Sequence, residues 1–210
     1  MTPAPGSGFE ARPHALYLAA GASRRFGGDK LRQPVGGRPL AAHAAAVIAE
    51  AIALGTLGGG VLVVPGGATA IDLQLDSFGM DIVTSPDPAR GFSASLRLGL
   101  VALERTRAGA ALVALADQPL LRLEIIDRLV RHWRATGRSV RPRYGDAPGI
   151  PGHPVLLDRS AWRLAEQVEG DAGLGSILKR QRELIEEIDV PGDNPDVDTP
   201  DDLRRLEERP

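Results

Sequence analysis

The feature that most constrains this chain is a repeated change of hydrophobic period. Short apolar runs of strand length alternate with amphipathic stretches of helix length. The strand-type runs are His14–Ala19, Gly60–Val64, Met80–Thr84, Ala110–Leu115, Ser139–Tyr144, His153–Leu157 and Leu184–Val190. Between and after them, helices are predicted at Pro39–Ala53, Thr69–Phe78, Ser93–Arg105, Leu123–Thr136, Ser160–Val168, Leu174–Gln181 and Pro200–Glu208. Ala110–Leu115 is apolar throughout, as expected of a central strand. This order predicts an α/β fold: a Rossmann-like, mainly parallel sheet with helices on both faces. Ligands bind such sheets at the carboxyl ends of the strands. The 210 residues fit a flexible tail over 1–13 and a single domain over 14–210.

Composition removes several function classes. With no cysteine there is no disulfide framework, zinc–thiolate site or cysteine nucleophile. A net charge of −2 gives no basic field for nucleic acid. Ala51–Ile71 is uncharged, but Gly55, Gly58, Gly59, Gly60, Pro65, Gly66 and Gly67 would break a membrane helix. Met1–Pro13 lacks a basic segment followed by an apolar one, so no secretory signal and a cytoplasmic location are expected.

Four stretches carry candidate chemistry. The first follows the first strand: Leu18-Ala19-Ala20-Gly21-Ala22-Ser23-Arg24-Arg25-Phe26-Gly27-Gly28-Asp29-Lys30. Glycines let backbone N–H groups approach an anion, Ser23 adds a hydroxyl, and Arg25 and Lys30 add two charges that can clamp a triphosphate. The stretch is neither a Walker A loop nor a dinucleotide fingerprint. The second is Asp117-Gln118-Pro119, where a carboxylate at a strand end suits Mg²⁺, although Asp117 could equally be a turn former or cap. The third is Asp196-Val197-Asp198, whose two carboxylates point to one side of an extended segment. Thr199, Pro200, Asp201 and Asp202 after it read as a helix start. The fourth is Gly91-Phe92-Ser93-Ala94-Ser95-Leu96, where Ser93 or Ser95 could cap a helix. His153, Arg141, Arg143 and the turn Gly170-Asp171-Ala172-Gly173 stand in the remaining region, with structural readings open for each.

From about residue 14 to 206 these motifs resemble, in order, nucleotidyltransferases of the glycosyltransferase-A type fold, and among them the molybdenum-cofactor cytidylyltransferase-like (molybdopterin nucleotidyltransferase) family. The resemblance implies transfer of CMP from CTP to the phosphate of molybdopterin, with Mg²⁺ and release of pyrophosphate. It implies catalytic roles for Arg25, Lys30 and Asp117. Nucleotide contacts would come from Leu18, Ala19, Ala20, Gly21, Ser23, Arg25, Lys30, Ser93, Ser95 and Gln118. Metal ligands would come from Asp117 and from Asp196 or Asp198, and His153 would lie at the acceptor. Ala20 and Gln118 favour the cytidylyl over the guanylyl branch. CTP and molybdopterin are the expected partners, with a molybdoenzyme or its maturation chaperone as recipient. Use of GTP, another phosphate acceptor, or a non-catalytic molybdopterin carrier are the competing readings.

Overall fold

A computed structural model describes residues 11–20, 26, 29–66, 73–75, 78–87, 91–146, 152–167 and 182–209. Its strands are β1 (Pro13–Leu18), β2 (Pro34–Val35), β3 (Arg38–Pro39), β4 (Gly60–Pro65), β5 (Asp81–Ser85), β6 (Ala110–Leu115), β7 (Ser139–Tyr144), β8 (Val155–Asp158) and β9 (Ile185–Val190). Its α-helices are α1 (Leu40–Ala53), α2 (Phe92–Glu104), α3 (Leu123–Thr136) and α4 (Pro200–Glu207). Single 3-10 segments cover Lys30–Arg32, Arg159–Gln167 and Arg182–Leu184.

Seven strands form one sheet in the order β5-β4-β1-β6-β8-β7-β9. β1 pairs in parallel with β4 on one side and β6 on the other, matching Leu18 to Val63 and to Leu115. β8 is the one antiparallel member, against both β6 and β7, and β9 is parallel to β7. The chain leaves β1 toward β4 and later returns to β1's other side as β6. The carboxyl ends of β1 and β6 therefore frame the crevice where such sheets bind ligands.

Alternation along β1 builds two cores. Ala15 and Tyr17 face α1 and α3, together with Ala45, Ile48, Ile125 and Leu129. Leu16 and Leu18 face α2 and the Arg159–Gln167 segment, together with Leu96, Leu100, Leu103 and Trp162. Fully buried side chains such as Leu16, Leu62 and Leu112 each contribute about 1.5–3 kcal/mol. The Tyr17 hydroxyl is satisfied by donating to the Ala41 carbonyl at 2.6 Å. Among the described residues no helix is long and apolar enough to cross a membrane.

Several expectations need adjusting. Pro39 is the N-cap of α1, not its first helical residue. The helix expected over Thr69–Phe78 does not run through Gln74, whose φ of +54° is left-handed, and 69–72, 76 and 77 lie outside the described residues. The strand expected from His153 starts at Val155, because Pro154 has no N–H for the ladder. In place of the α-helix expected over Ser160–Val168 there is a 3-10 segment at Arg159–Gln167, and Val168 lies outside the described residues. The helix expected at Leu174–Gln181 lies outside the described residues, as do residues 1–10 of the expected tail. The backbone of Arg12 already belongs to the fold, accepting from the Gly109 N–H at 3.0 Å.

Candidate active site

The β1–β6 pairing continues one step past the strands, through the Ala116 N–H to the Leu18 carbonyl at 3.1 Å. The backbone then turns, with the Gln118 N–H on the Leu115 carbonyl at 3.3 Å, and this sets Asp117 at the crevice. Lys30 enters from the 3-10 segment that follows the glycine-rich loop, and only 6% of it is exposed. Its ammonium donates to Asp117 Oδ2 at 2.7 Å and to Asp198 Oδ1 at 3.1 Å. The acidic segment is fastened by the Val197 N–H, which donates to the Asp117 carbonyl at 2.9 Å. Val197 is buried, so in this extended stretch Asp196 and Asp198 both turn the other way, as their spacing predicts. Gln118 Nε2 then donates to Asp196 Oδ1 at 2.7 Å. Thr199 ends the segment as the N-cap of α4, in a capping box with Asp202 and with Pro200 at the helix start.

Asp117 and Asp198 share the Lys30 ammonium, and Asp196 is held beside them by Gln118. Burial works against the Lys30 ammonium, but Asp117 and Asp198 outweigh it, so its pKa is raised. Asp196 also has a raised pKa, first from desolvation where its carboxyl meets Gln118 and then from Asp117, although the residue as a whole keeps access to water. The carboxylates of Asp117 and Asp198 offer hard oxygen donors that could hold a divalent cation.

Among the described residues, four buried side-chain atoms have no hydrogen-bond partner: Ser95 Oγ, Gln118 Oε1, His153 Nε2 and Asn194 Oδ1. All four lie at the carboxyl end of the sheet. Ser95 is in the opening turn of α2 after β5, Gln118 follows β6, His153 precedes the antiparallel β8, and Asn194 follows β9. Unsatisfied buried polar atoms are rare in native proteins, and their collection at one end marks a ligand site. The Gln118 amide donates to Asp196, so its free atom is an acceptor.

The other expected residues fall as follows. The side chains of Leu18, Ala19 and Ala20 are packed in the cores, and the Ala19 N–H donates to the Val63 carbonyl at 2.8 Å. Gly21, Ser23 and Arg25 lie outside the described residues, as does the turn at 170–173. Neither Ser93 nor Ser95 caps α2. Its N-cap is Gly91, at a φ of +80° that favours glycine. Ser93 Oγ accepts from Arg97 at 3.4 Å. Burial lowers the pKa of His153 to about 4, Asp117 opposing the shift and Arg141 adding to it, so the imidazole is neutral at neutral pH. Arg141 and Arg143 stand opposite Glu187 and Asp189 in the β7–β9 register and pair with them, Arg141 Nε at 3.1 Å and Arg143 Nε at 2.6 Å. Asn194 carried no expectation, because an Asn between Asp193 and Pro195 reads as an ordinary turn residue.

The mycobacterial protein Rv0371c, from Mycobacterium tuberculosis H37Rv, is 29% identical, and its crystal structure superposes with a TM-score of 0.80 over 95% of this chain and 100% of that one. The same protein in complex with manganese gives 28% identity and a TM-score of 0.76 over 95% and 100% of the two chains. Molybdopterin-guanine dinucleotide biosynthesis protein A from Archaeoglobus fulgidus shares the fold at 21% identity, with a TM-score of 0.61 over 93% and 97% of the chains. No curated protein matches the chain. Residues 15–185 match the MobA-like NTP transferase domain, and the chain belongs to that family of nucleotidyltransferases.

Proposed function

We propose that this protein transfers CMP from CTP to the terminal phosphate of molybdopterin, releasing pyrophosphate, in the cytoplasm and with Mg²⁺. The observation that carries the reading is the cluster of Lys30, Asp117 and Asp198, one buried ammonium held by two carboxylates from distant parts of the chain. A carrier that only stored the cofactor would have no use for such a cluster. The manganese complex of the mycobacterial relative supports a divalent ion in this chain. Ala20 and Gln118 support CTP over GTP.

In this reading an oxygen of the acceptor phosphate bonds to the α-phosphorus of CTP. The bond from that phosphorus to the bridging oxygen breaks in line, and pyrophosphate leaves with the electron pair. The attacking phosphate is already an anion, so no general base is required. The chain's work is positioning and charge neutralisation. Arg25 and Lys30 hold the triphosphate and offset charge on the leaving pyrophosphate. Asp117 and Asp198 would hold Mg²⁺, which would supply neutralisation of phosphate charge. Gln118 keeps Asp196 in place beside them. The main chain of Leu18, Ala19, Ala20 and Gly21, with the Ser23 hydroxyl, faces the phosphates, and Ser93 and Ser95 lie toward the base. His153 lies on the acceptor side.

The test is pyrophosphate release with Mg²⁺ and molybdopterin, comparing CTP, GTP, ATP and UTP. Release with CTP that disappears in Asp117→Ala is expected. Release with GTP alone would remove the cytidylyl assignment. Absence of release with every nucleotide, from folded protein that still binds molybdopterin, would favour the carrier.

A further inference from the structure

The acidic segment that carries Asp196 and Asp198 runs from the end of β9 to the start of α4, and α4 is tied to both of its ends. At the near end Asp202 does more than complete the capping box. Its Oδ2 accepts from the Thr199 N–H at 2.9 Å, from the Thr199 hydroxyl at 2.7 Å and from the Asp198 N–H at 3.2 Å. A capping box calls for the bond to the N-cap N–H, and the bond to the residue before the cap is additional. At the far end Arg209, just past α4, grips Asp193 with a two-pronged pair: Nη1 to Oδ1 at 2.7 Å and Nη2 to Oδ2 at 2.6 Å.

Packing alone gives α4 little hold. It has eight residues and none of them is buried. Leu203 and Leu206 are half-buried. A helix this short is marginal by itself and depends on tertiary contacts. Here the polar ties at its two ends supply them, and both ties lead to the acidic segment.

The ties converge on Asp198. The Val197 N–H is held by the Asp117 carbonyl, and the next N–H along, that of Asp198, is held by Asp202. Two consecutive amides are thus fixed to different elements, one to the turn after β6 and one to α4. The Asp198 side chain is 42% exposed and reaches Lys30 from this fixed backbone. On an untethered segment the same carboxylate would lose more conformational freedom on meeting a cation, and binding would be weaker for it. The start of the segment has further ties. The Arg122 guanidinium donates to the Pro191 carbonyl, and the Asp146 N–H donates to the Gly192 carbonyl at 3.2 Å. Arg209 therefore shares its end with others, whereas Asp202 acts directly on the residue that carries the carboxylate.

We infer that α4 is a positioning element for the candidate metal site. Asp202 sets Asp198 through the Asp198 N–H, and Arg209 sets the start of the same segment through Asp193. Both roles rest on the nucleotidyl-transfer reading above, in which Asp117 and Asp198 hold a divalent cation.

The experiment titrates the full chain with Mn²⁺ alone, reading unbound Mn²⁺ by electron paramagnetic resonance, with thermal melts beside it. Asp202→Ala is expected to weaken Mn²⁺ binding about tenfold, as loss of a group that orients a metal ligand does. Arg209→Ala should weaken it about threefold, the scale of a partly exposed ion pair. Asp193→Ala should match Arg209→Ala, and the double variant should be no worse than either. Asp202→Asn keeps an oxygen that accepts the Asp198 N–H and should recover most of the affinity. Thr199→Val removes the cap hydroxyl and leaves the tie to Asp198, so it should lower Tm without changing Mn²⁺ affinity. Equal losses of affinity in Thr199→Val and Asp202→Ala would reduce Asp202 to a helix cap and overturn the inference. So would a folded Asp202→Ala that binds Mn²⁺ as wild type does. Should Asp202→Ala not fold, Arg209→Ala decides, and unchanged affinity there overturns the inference. In each of these cases wild type still binds Mn²⁺, and the nucleotidyl-transfer reading stands. A wild type that binds no Mn²⁺ would overturn the metal reading of Asp117 and Asp198 together with the inference.

Discussion

Lys30 brings one positive charge to three carboxylates, and its removal has two separable consequences. The first concerns chemistry. Loss of a cation that offsets charge on a transferring phosphate lowers turnover by about 10²–10³-fold, so Lys30→Ala should release pyrophosphate at about that deficit. The second concerns the resting protein. Because the pKa of Lys30 is raised, its pairing contributes fully below the ordinary lysine value of 10.5 and is lost only as pH climbs through the folded value, so the whole contribution is present at neutral pH. Deleting it removes the ammonium that Asp117 and Asp198 share. The cost is about 1–3 kcal/mol, below the figure for a fully buried pair because Asp117 and Asp198 keep 24% and 42% side-chain exposure. A divalent cation should replace the missing charge. In thermal melts, Mg²⁺ is expected to raise the Tm of Lys30→Ala more than that of wild type. Equal shifts would mean that metal and ammonium do not share these carboxylates.

At the scale of elements, α2 is held against β1 at a distance only glycine permits. A Cβ on Gly99 would stand 2.1 Å from Leu16 Cδ1 and 3.1 Å from Val63 Cγ2. Alanine would gain about 1 kcal/mol of helix propensity, but Leu16 is wholly buried in a central strand and has nowhere to move. Overpacking of this kind costs about 1–3 kcal/mol, so Gly99→Ala should lower the urea midpoint despite the better helix former. An unchanged or higher midpoint would mean that α2 slides freely on the sheet. The same comparison of scales explains what could be read from the sequence. Ala110–Leu115, Leu123–Thr136 and Ser139–Tyr144 fall where the sequence predicts them, because period and punctuation agree there. The antiparallel direction of β8 was not legible, since alternation is the same in either direction. The two-residue strands β2 and β3 are too short to show a period at all.

The molecule as a whole gathers its site from four separated stretches, and the sequence disclosed them unequally. Lys30, Asp117, Asp196 and Asp198 carried charges that a solvated turn does not need, and the structure brings all four to one cluster through Lys30 and Gln118. Asn194 was hidden because an Asn between Asp193 and Pro195 reads as a turn residue, and its burial exists only in the folded chain. His153 lies between these cases: its sequence position suggested the acceptor, and its surroundings give it a property that global stability should report. Its folded pKa is about 4 against an ordinary 6.5. As pH falls below 6.5 the unfolded chain takes up the proton while the native imidazole stays neutral, so the unfolded state gains and stability is lost until about pH 4. The full difference corresponds to at most about 3 kcal/mol, and the water that still reaches part of this half-buried residue lowers it from that ceiling. Urea unfolding of wild type and His153→Gln across this range should give curves that converge toward pH 4, because other titrating groups cancel between the two proteins. Parallel curves would show that the native site accepts an imidazolium. The acceptor would then meet a cation at His153 in mild acid.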